Sequence, residues 1–431
     1  MSERRVEVPV LTRVEGEGAL HVRIENGSVT DLRLRIFEPP RFFEQFLVGR
    51  TWKEVTDIVT RICGICPVAY QMSASHAIEQ AFGVAVTPEI RALRRLYYCG
   101  EWIESHSLHI HLLAAPDFYG QPNVMALAKV QPEAVRRGMR LQGIGNRIIA
   151  LLSGRPVNPV GVRPGGFYRA PEVAELRALA GSLREALPEA EAMVRWTAGL
   201  AFPTVERDAP FVSLRHPDEY PMNEGRIASS AGVDISAADF ADRIREHQVP
   251  HSTALHAHLD GRPYWVGPLP RLNNNLDRLP PETARLMRQT GIAFPSANPY
   301  HSIVARALEV HLSLIEALRV AEGYTRRIKP HVEVEPRSGT GTAATEAPRG
   351  ILWHRYAFDT EGVVRAATIV PPTSQNQAQM EADLRASVLE SLALDDDRLR
   401  HRLEADIRNY DPCISCSTHF LKLNIERTDR D

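Results

Sequence analysis

The sequence predicts a mainly α protein with small β-sheets, an α+β arrangement in which helices form the body and hairpins lie toward the ends. Three observations carry that expectation. Apolar residues recur at three- and four-residue steps through most of the chain, as on the buried faces of amphipathic helices. Near both ends they alternate with polar residues instead, around Asn26-Gly27 and around Asp359-Thr360-Glu361-Gly362, which is the pattern of hairpins. With 431 residues, 44% hydrophobic and 24% charged, the chain has the make-up of a folded protein with a large interior rather than of a disordered one.

Taken in order, Leu20, Val22 and Ile24 precede the first turn and Val29, Leu32, Leu34 and Ile36 follow it, which gives paired strands within 6–37. A helical stretch is expected over 41–48. Pro67, directly after Cys66, suits the first position of a helix reaching Phe82, where Gly83 ends it. Cys66 then lies at a helix N-terminus, and exposed N–H groups there favour a thiolate. Thr87-Pro88-Glu89 reads as the cap and first turn of a long helix ending near Pro116. Cys99, Trp102, His106, His109 and Leu113 share one of its faces. Helical periodicity returns at 131–153, 172–200, 236–246, 281–291, 299–327, 376–392 and 396–409, and the second hairpin pairs 351–356 with 363–370.

Composition excludes several classes of function. Lys and Arg number 51 against 53 Asp and Glu, a net charge of -2, and the charges are interspersed, so nothing attracts nucleic acid or an anionic membrane. The N-terminus has no apolar run for a signal sequence, and no stretch approaches the ~20 apolar residues of a membrane span. The expectation is a cytoplasmic protein without direct membrane insertion. In a reducing compartment its five cysteines are better explained by ligation or burial than by disulfides.

Four of those cysteines form two Cys-x-x-Cys pairs near opposite ends, Cys63 with Cys66 and Cys413 with Cys416, while Cys99 stands alone. Such pairs can turn four sulfurs toward one soft or borderline metal. Spacing alone would suit structural zinc. Structural zinc, however, usually staples short local loops, and a chain this long needs no staple to fold. The histidine groups His106, His109, His111 and His251, His256, His258 have ligand chemistry too, but histidines on such elements are more often packed and hydrogen-bonded.

The wider motifs are more specific. Arg61-Ile62-Cys63-Gly64-Ile65-Cys66-Pro67 and Asp411-Pro412-Cys413-Ile414-Ser415-Cys416-Ser417-Thr418-His419 resemble the large, catalytic subunit of nickel-iron hydrogenases. Arg13-Val14-Glu15-Gly16-Glu17, Arg41-Phe42-Phe43-Glu44 and Glu346-Ala347-Pro348-Arg349-Gly350 agree in the same order. The resemblance covers nearly the whole chain and is nearest to the soluble, NAD(P)-linked hydrogenase and sulfhydrogenase group. It implies the large-subunit fold, with long central helices. It also implies one integrated unit over 1–431: a hairpin region at 1–40, a helical body at 41–330, a hairpin with helices at 331–419, and a removable extension at 420–431.

For the site, the resemblance implies nickel held by Cys63, Cys66, Cys413 and Cys416, with Cys66 and Cys416 bridging to an iron that carries carbon monoxide and cyanide. Glu15 would relay protons, working with Cys413. Arg349, oriented by Asp411, would overhang the open metal position. Glu44, His419 and a backbone carbonyl near Thr368 would hold a magnesium or second iron. The chain departs from the family at three places: Tyr70 stands where many members have histidine, leaving Ser73 or His76 to take its place. Ser105 replaces an acidic residue before His106. Pro372 replaces a hydroxyl residue, so that hydroxyl comes from Thr373 or is absent.

Once the four ligands are assigned, no cysteines remain for iron-sulfur clusters, and no Gly-x-Gly-x-x-Gly fingerprint binds a dinucleotide, so this chain has no cofactor-binding residues beyond its metals. The expected partners are an iron-sulfur small subunit, flavin- and NAD(P)-binding reductase subunits, and a maturation chaperone and endopeptidase, the last cutting after His419. The expected activity is reversible heterolytic cleavage of dihydrogen with electrons passed to NAD(P). The alternatives are a deazaflavin-reducing hydrogenase, a dihydrogen sensor and a metal-free scaffold like that found in a respiratory complex.

Overall fold

The computed structural model describes residues 3–39 and 42–418. Its centre is a bundle of four long helices in which each packs on two others. These are α4 (Pro88–Leu108) and the helices Pro132–Ser153, Val173–Ala198 and Ser302–Gly323. Thr87 caps α4 by accepting the Ile90 N–H, with Pro88 at the first position, and the helix is buried on nearly every side from Leu93 to Ser107. Close approach to its neighbour depends on glycine: a Cβ on Gly145 would lie 2.5 Å from the Gly100 carbonyl oxygen.

The N-terminal region forms a three-stranded antiparallel sheet of β1 (Glu3–Val8), β2 (Gly18–Glu25) and β3 (Ser28–Ile36), one strand more than the expected hairpin. Short helices α1 (Phe43–Leu47) and α2 (Trp52–Val59) lead to α3 (Pro67–Phe82), which ends at Gly83 with φ 66°. At the other end, Gly339–Ala347, Gly350–Phe358 and Val364–Val370 make a second three-stranded sheet in which the expected hairpin gains a strand. Helix α3 lies across that sheet so closely that a Cβ on Gly341 would meet the Ala77 carbonyl oxygen at 1.9 Å. Helices Pro372–Glu390 and Asp396–Tyr410 then carry the chain back to the second cysteine pair.

Two expectations of local structure are corrected. The segment 236–246 is a short turn of helix to Arg243 followed by the strand Ile244–His247, because Phe240 and Ile244 are buried in a separate small core with Trp353. The helical body also contains the strands Val212–Arg215, Arg226–Ser229, Asp234–Ile235 and His256–Leu259, all too short for a periodic signal. The long helix continues past Leu108 as π-helix over His109–Ala114, which turns His109 so that its Nε2 lies 2.8 Å from the Arg408 carbonyl oxygen.

One apolar core runs from Val6 to Cys416 and includes both cysteine pairs. No helix among the described residues is long and apolar enough to cross a membrane.

Candidate metal centre

The four paired cysteines meet in the core. All are buried, and one sulfur from each lies within 4.8 Å of the other three. Cys63 Sγ is 3.4 Å from Cys413 Sγ, and Cys413 Sγ is 2.6 Å from Cys416 Sγ. Cys99 is buried elsewhere, its thiol pushed up to about 12 by burial.

Local structure holds each pair. The loop before α3 directs the Ile65 and Cys66 N–H groups at Cys63 Sγ, at 3.4 and 3.2 Å. The second pair begins where Asp411 adopts a left-handed conformation, φ 54°, ending the Asp396–Tyr410 helix. Thr373 Oγ1 accepts the Cys413 N–H at 3.0 Å and Glu15 O accepts the Ile414 N–H at 2.9 Å.

The N-terminus of α3 is not open as the sequence suggested. The buried carboxylate of Glu101, on α4, accepts the Val68 N–H at 2.6 Å and the Ala69 N–H at 3.1 Å. It takes the donors that were expected to favour a Cys66 thiolate. Burial, with Cys63 among the nearby charges, pushes the Glu101 carboxyl well up. Glu104, one turn on, is raised to about 7 by burial. Sequence reasoning missed both, because a periodic pattern does not reveal that α4 is buried on all sides.

Glu15 comes from the loop before β2. Its Oε2 lies 3.2 Å from Cys413 Sγ and accepts the Ser415 N–H at 3.1 Å. Gly16 beside it has φ +89°, and a Cβ there would lie 2.6 Å from Glu38 Oε2 and 2.7 Å from Ile414 Cβ. The loop is fixed through Asp117, which receives Arg13 and also Arg408 at 2.7 and 2.8 Å, so the N-terminal motif and the last long helix share one anchor. Ser415 Oγ donates to Glu38 Oε1 at 2.7 Å, putting a second carboxylate next to Glu15 on the outward side.

Arg349 is fully buried. Its Nε donates to Asp411 O at 2.8 Å and its Nη2 to Asp411 Oδ1 at 3.1 Å, while Nη1 is buried without a hydrogen-bond partner among the described residues. Arg306, also buried, places Nη2 3.7 Å from Asp411 Oδ2. Burial opposes charge on Asp411, but Arg349, His109 and Arg306 hold its carboxyl below the usual range. Behind these groups lies a closed network: Arg271 donates to Glu309 at 2.7 Å through both Nε and Nη2 and to Glu346 at 2.7 Å through Nη1, and His106 Nε2 is 2.9 Å from Glu309 Oε2. The Glu346-to-Gly350 motif is therefore pinned from inside the bundle.

Glu44 accepts the Ile369 N–H at 2.6 Å, and burial pushes its carboxyl up to about 8. The Thr368 carbonyl belongs to the same trans peptide as that N–H and points away from Glu44. His419 lies outside the described residues, as do Arg41 and the tail from Phe420. Ser73 bonds to Thr345 at 2.7 Å, and burial with the neighbouring Arg94 pushes His76 down. The Tyr70 hydroxyl is itself buried without a partner among the described residues.

The donor set fits a thiolate-bound metal centre. Burial opposes charge on Cys63, but bonds from the other three thiols and the Arg349 charge hold it well below its ordinary value, while burial and its neighbours push Cys413 well up. Four ionised sulfurs this close require a multivalent cation among them. Arg349 Nη1 offers a free donor for an anionic ligand beside it.

The family model of nickel-dependent hydrogenases matches residues 41–143 and 266–419. The alpha chain of sulfhydrogenase 1 from Pyrococcus furiosus is 34% identical to this chain over 423 residues, 97% of this chain and 98% of that protein. An F420-non-reducing hydrogenase chain from Methanothermobacter marburgensis is 32% identical, over 95% of this chain and 94% of that protein. The crystal structure of a NAD+-reducing nickel-iron hydrogenase in its H2-reduced state matches with a TM-score of 0.84 at 28% identity, over 96% of this chain and 99% of that chain.

Proposed function

The chain belongs to the nickel-dependent hydrogenase family, and from that premise we propose that it is the catalytic large subunit of a cytoplasmic hydrogenase that interconverts dihydrogen with protons and electrons and exchanges the electrons with NAD(P). The observation that carries this reading is four buried sulfurs within 4.8 Å of one another, with the Glu15 carboxylate 3.2 Å from one of them.

In this reading Cys63, Cys66, Cys413 and Cys416 would hold nickel, and Cys66 and Cys416 would also hold an iron carrying carbon monoxide and cyanide. The bound centre supplies redox chemistry and the polarisation that separates dihydrogen into two protons and two electrons. The chain's own groups manage the protons. Glu15 receives a proton at Oε2 from the Cys413 sulfur, within the reach that proton transfer needs. Glu38, which accepts the Ser415 hydroxyl while Glu15 accepts the Ser415 N–H, is the next carboxylate outward. Arg349 directs Nη1 toward the open metal position, and Asp411 fixes the guanidinium by two contacts. A magnesium site of Glu44, His419 and a backbone carbonyl near Thr368 rests on the resemblance alone.

Electrons leave through a small iron-sulfur partner and reach NAD(P) in flavin-binding reductase subunits. A chaperone and an endopeptidase that cuts after His419 complete maturation. Residues 1–431 act as one integrated unit, for which the continuous core provides support. The likeness to a NAD+-reducing enzyme favours nicotinamide as acceptor. A second reading, delivery of electrons to sulfur, is favoured by the 34% identity to two sulfhydrogenase alpha chains.

Infrared spectroscopy of the purified complex tests the centre: iron-bound carbon monoxide and cyanide absorb where protein does not. Missing bands in a nickel-loaded, active preparation overturn the reading. Reduction of NADP, NAD, deazaflavin or polysulfide under dihydrogen assigns the acceptor, and negligible turnover with all of them favours a sensor.

A further inference from the structure

A second cluster of ligand-type side chains lies away from the cysteines, where the ribbon of Ile244–His247 and His256–Leu259 meets the Pro372–Glu390 helix. One ligand atom from each of His251, His256 and Glu381 lies within 4.8 Å of the other two. His251 Nε2 is 2.7 Å from Glu381 Oε1, and the same oxygen accepts the Leu34 N–H at 2.9 Å, so β3 orients the carboxylate. Two more imidazoles stand beside the three. His247 is paired with His256 in the ribbon and their ring centroids are 5.8 Å apart. His247 also stacks on His258 at 4.5 Å.

Packing alone does not account for this arrangement. His256 is only 3% exposed, yet its Nε2 has no hydrogen-bond partner among the described residues. A buried imidazole nitrogen left without a partner loses its hydration for nothing, and native interiors rarely leave one so. A neutral imidazole keeps a lone pair on the nitrogen that carries no proton, and that lone pair is what a cation takes.

We propose that His251, His256 and Glu381 form a second metal site on this chain, for a borderline divalent cation such as Zn2+. Two imidazole nitrogens and one carboxylate oxygen are a ligand set that Zn2+ accepts, with the fourth position open to water or to His247. Three ligands from the ribbon, its loop and a helix also explain what the site would do. The cation fastens the Pro372–Glu390 helix to the ribbon and to β3, and that helix carries Thr373, which holds the Cys413 N–H. The Leu34 bond is the outer contact that fixes Glu381, as metal sites generally have.

The test uses the nickel-loaded holoenzyme, in which the cysteines are already engaged, titrated with Zn2+ against a competing chelator dye. Wild type is expected to take up one zinc per chain, with an absorption-edge spectrum of histidine and oxygen neighbours and no sulfur. H251Q and E381Q, both at half-buried positions, are expected to weaken uptake about 100-fold or more, and H256Q likewise. No zinc uptake by wild type, equal uptake by wild type and both H251Q and E381Q, or sulfur in the zinc shell each overturns the proposal. The infrared bands of the main centre are read on the same samples, so failure here is separable from failure of the hydrogenase reading.

Discussion

Glu15 and Cys413, at opposite ends of the chain, are joined twice: Glu15 Oε2 lies 3.2 Å from the Cys413 sulfur, and the two backbones form a parallel bridge that passes the Ile414 N–H to Glu15 O. The backbone bridge fixes the distance over which a proton would move. A carboxylate on a loop tied only by its side chain would wander. Here Arg13 and Arg408 hold the same stretch through Asp117 as well.

Replacing Glu15 by Gln keeps an oxygen to accept the Ser415 N–H but removes the group that takes up a proton. E15Q is expected to retain nickel and the infrared bands and to lose roughly 10²–10⁴-fold in turnover, the usual worth of a positioned acid-base group. Dihydrogen isotope exchange at the wild-type rate in E15Q removes this role.

Arg349 is held by a two-point grip on Asp411 that lysine cannot make. R349K keeps the charge and loses the fork. Its turnover is expected to fall roughly 10²–10³-fold, as when one preorganised donor is removed from a reacting centre, with nickel content unchanged. Steady-state rates within twofold of wild type contradict the role proposed for Nη1.

Glu101 closes the N-terminus of α3 next to Cys66. In E101A the Val68 and Ala69 N–H groups are left buried without an acceptor, a cost of about 1–3 kcal/mol. E101Q, which retains one acceptor oxygen, is expected to recover part of it. Chemical denaturation of the holoenzyme separates the three proteins, and coincident curves for all of them refute the capping role.

Acid stability follows from the histidines of α4 and its π-helical extension. Burial is the largest influence on all three and pushes His106 down to about 4 and His109 and His111 to about 3, from an ordinary 6.5. Their folded values lie below their unfolded value, so between pH 6.5 and about 3 the unfolded chain binds more protons. Stability is therefore complete above pH 6.5 and declines as pH falls through that window, by about 1.4 kcal/mol per pH unit for each proton. H111Q removes one such proton without touching the cysteines, and its unfolding free energy is expected to fall less steeply below pH 6.5 than that of wild type. Parallel slopes for the two proteins show that His111 is not among the responsible groups.

Much of the helical body was legible in local pattern. Pro67 and Gly83 bracket α3, and Thr87 caps α4. Strands of two to four residues, such as Asp234–Ile235, were not legible, because so short a stretch carries no period. At the site, the cysteine pairs and the Glu15, Arg349 and Asp411 motifs stood out as residue types in a fixed order. Glu101, Glu104 and Arg306 did not. On a helix with a water-facing side they would be ordinary solvated charges, and only the packing of the bundle removes them from water.

The sequence by itself determined the family and the inventory of donor atoms, because ordered motifs and ligand chemistry are properties of the residues whatever their surroundings. The tertiary structure decided which donors face one another: Glu15 with Cys413, Glu101 with the start of α3, and His251 and His256 with Glu381. It also turned the Thr368 carbonyl away from Glu44. Each of those outcomes depends on helices and strands far apart in the chain meeting at a fixed angle. Side-chain volume and backbone hydrogen bonding set that angle across the whole core, and no local stretch of sequence contains it.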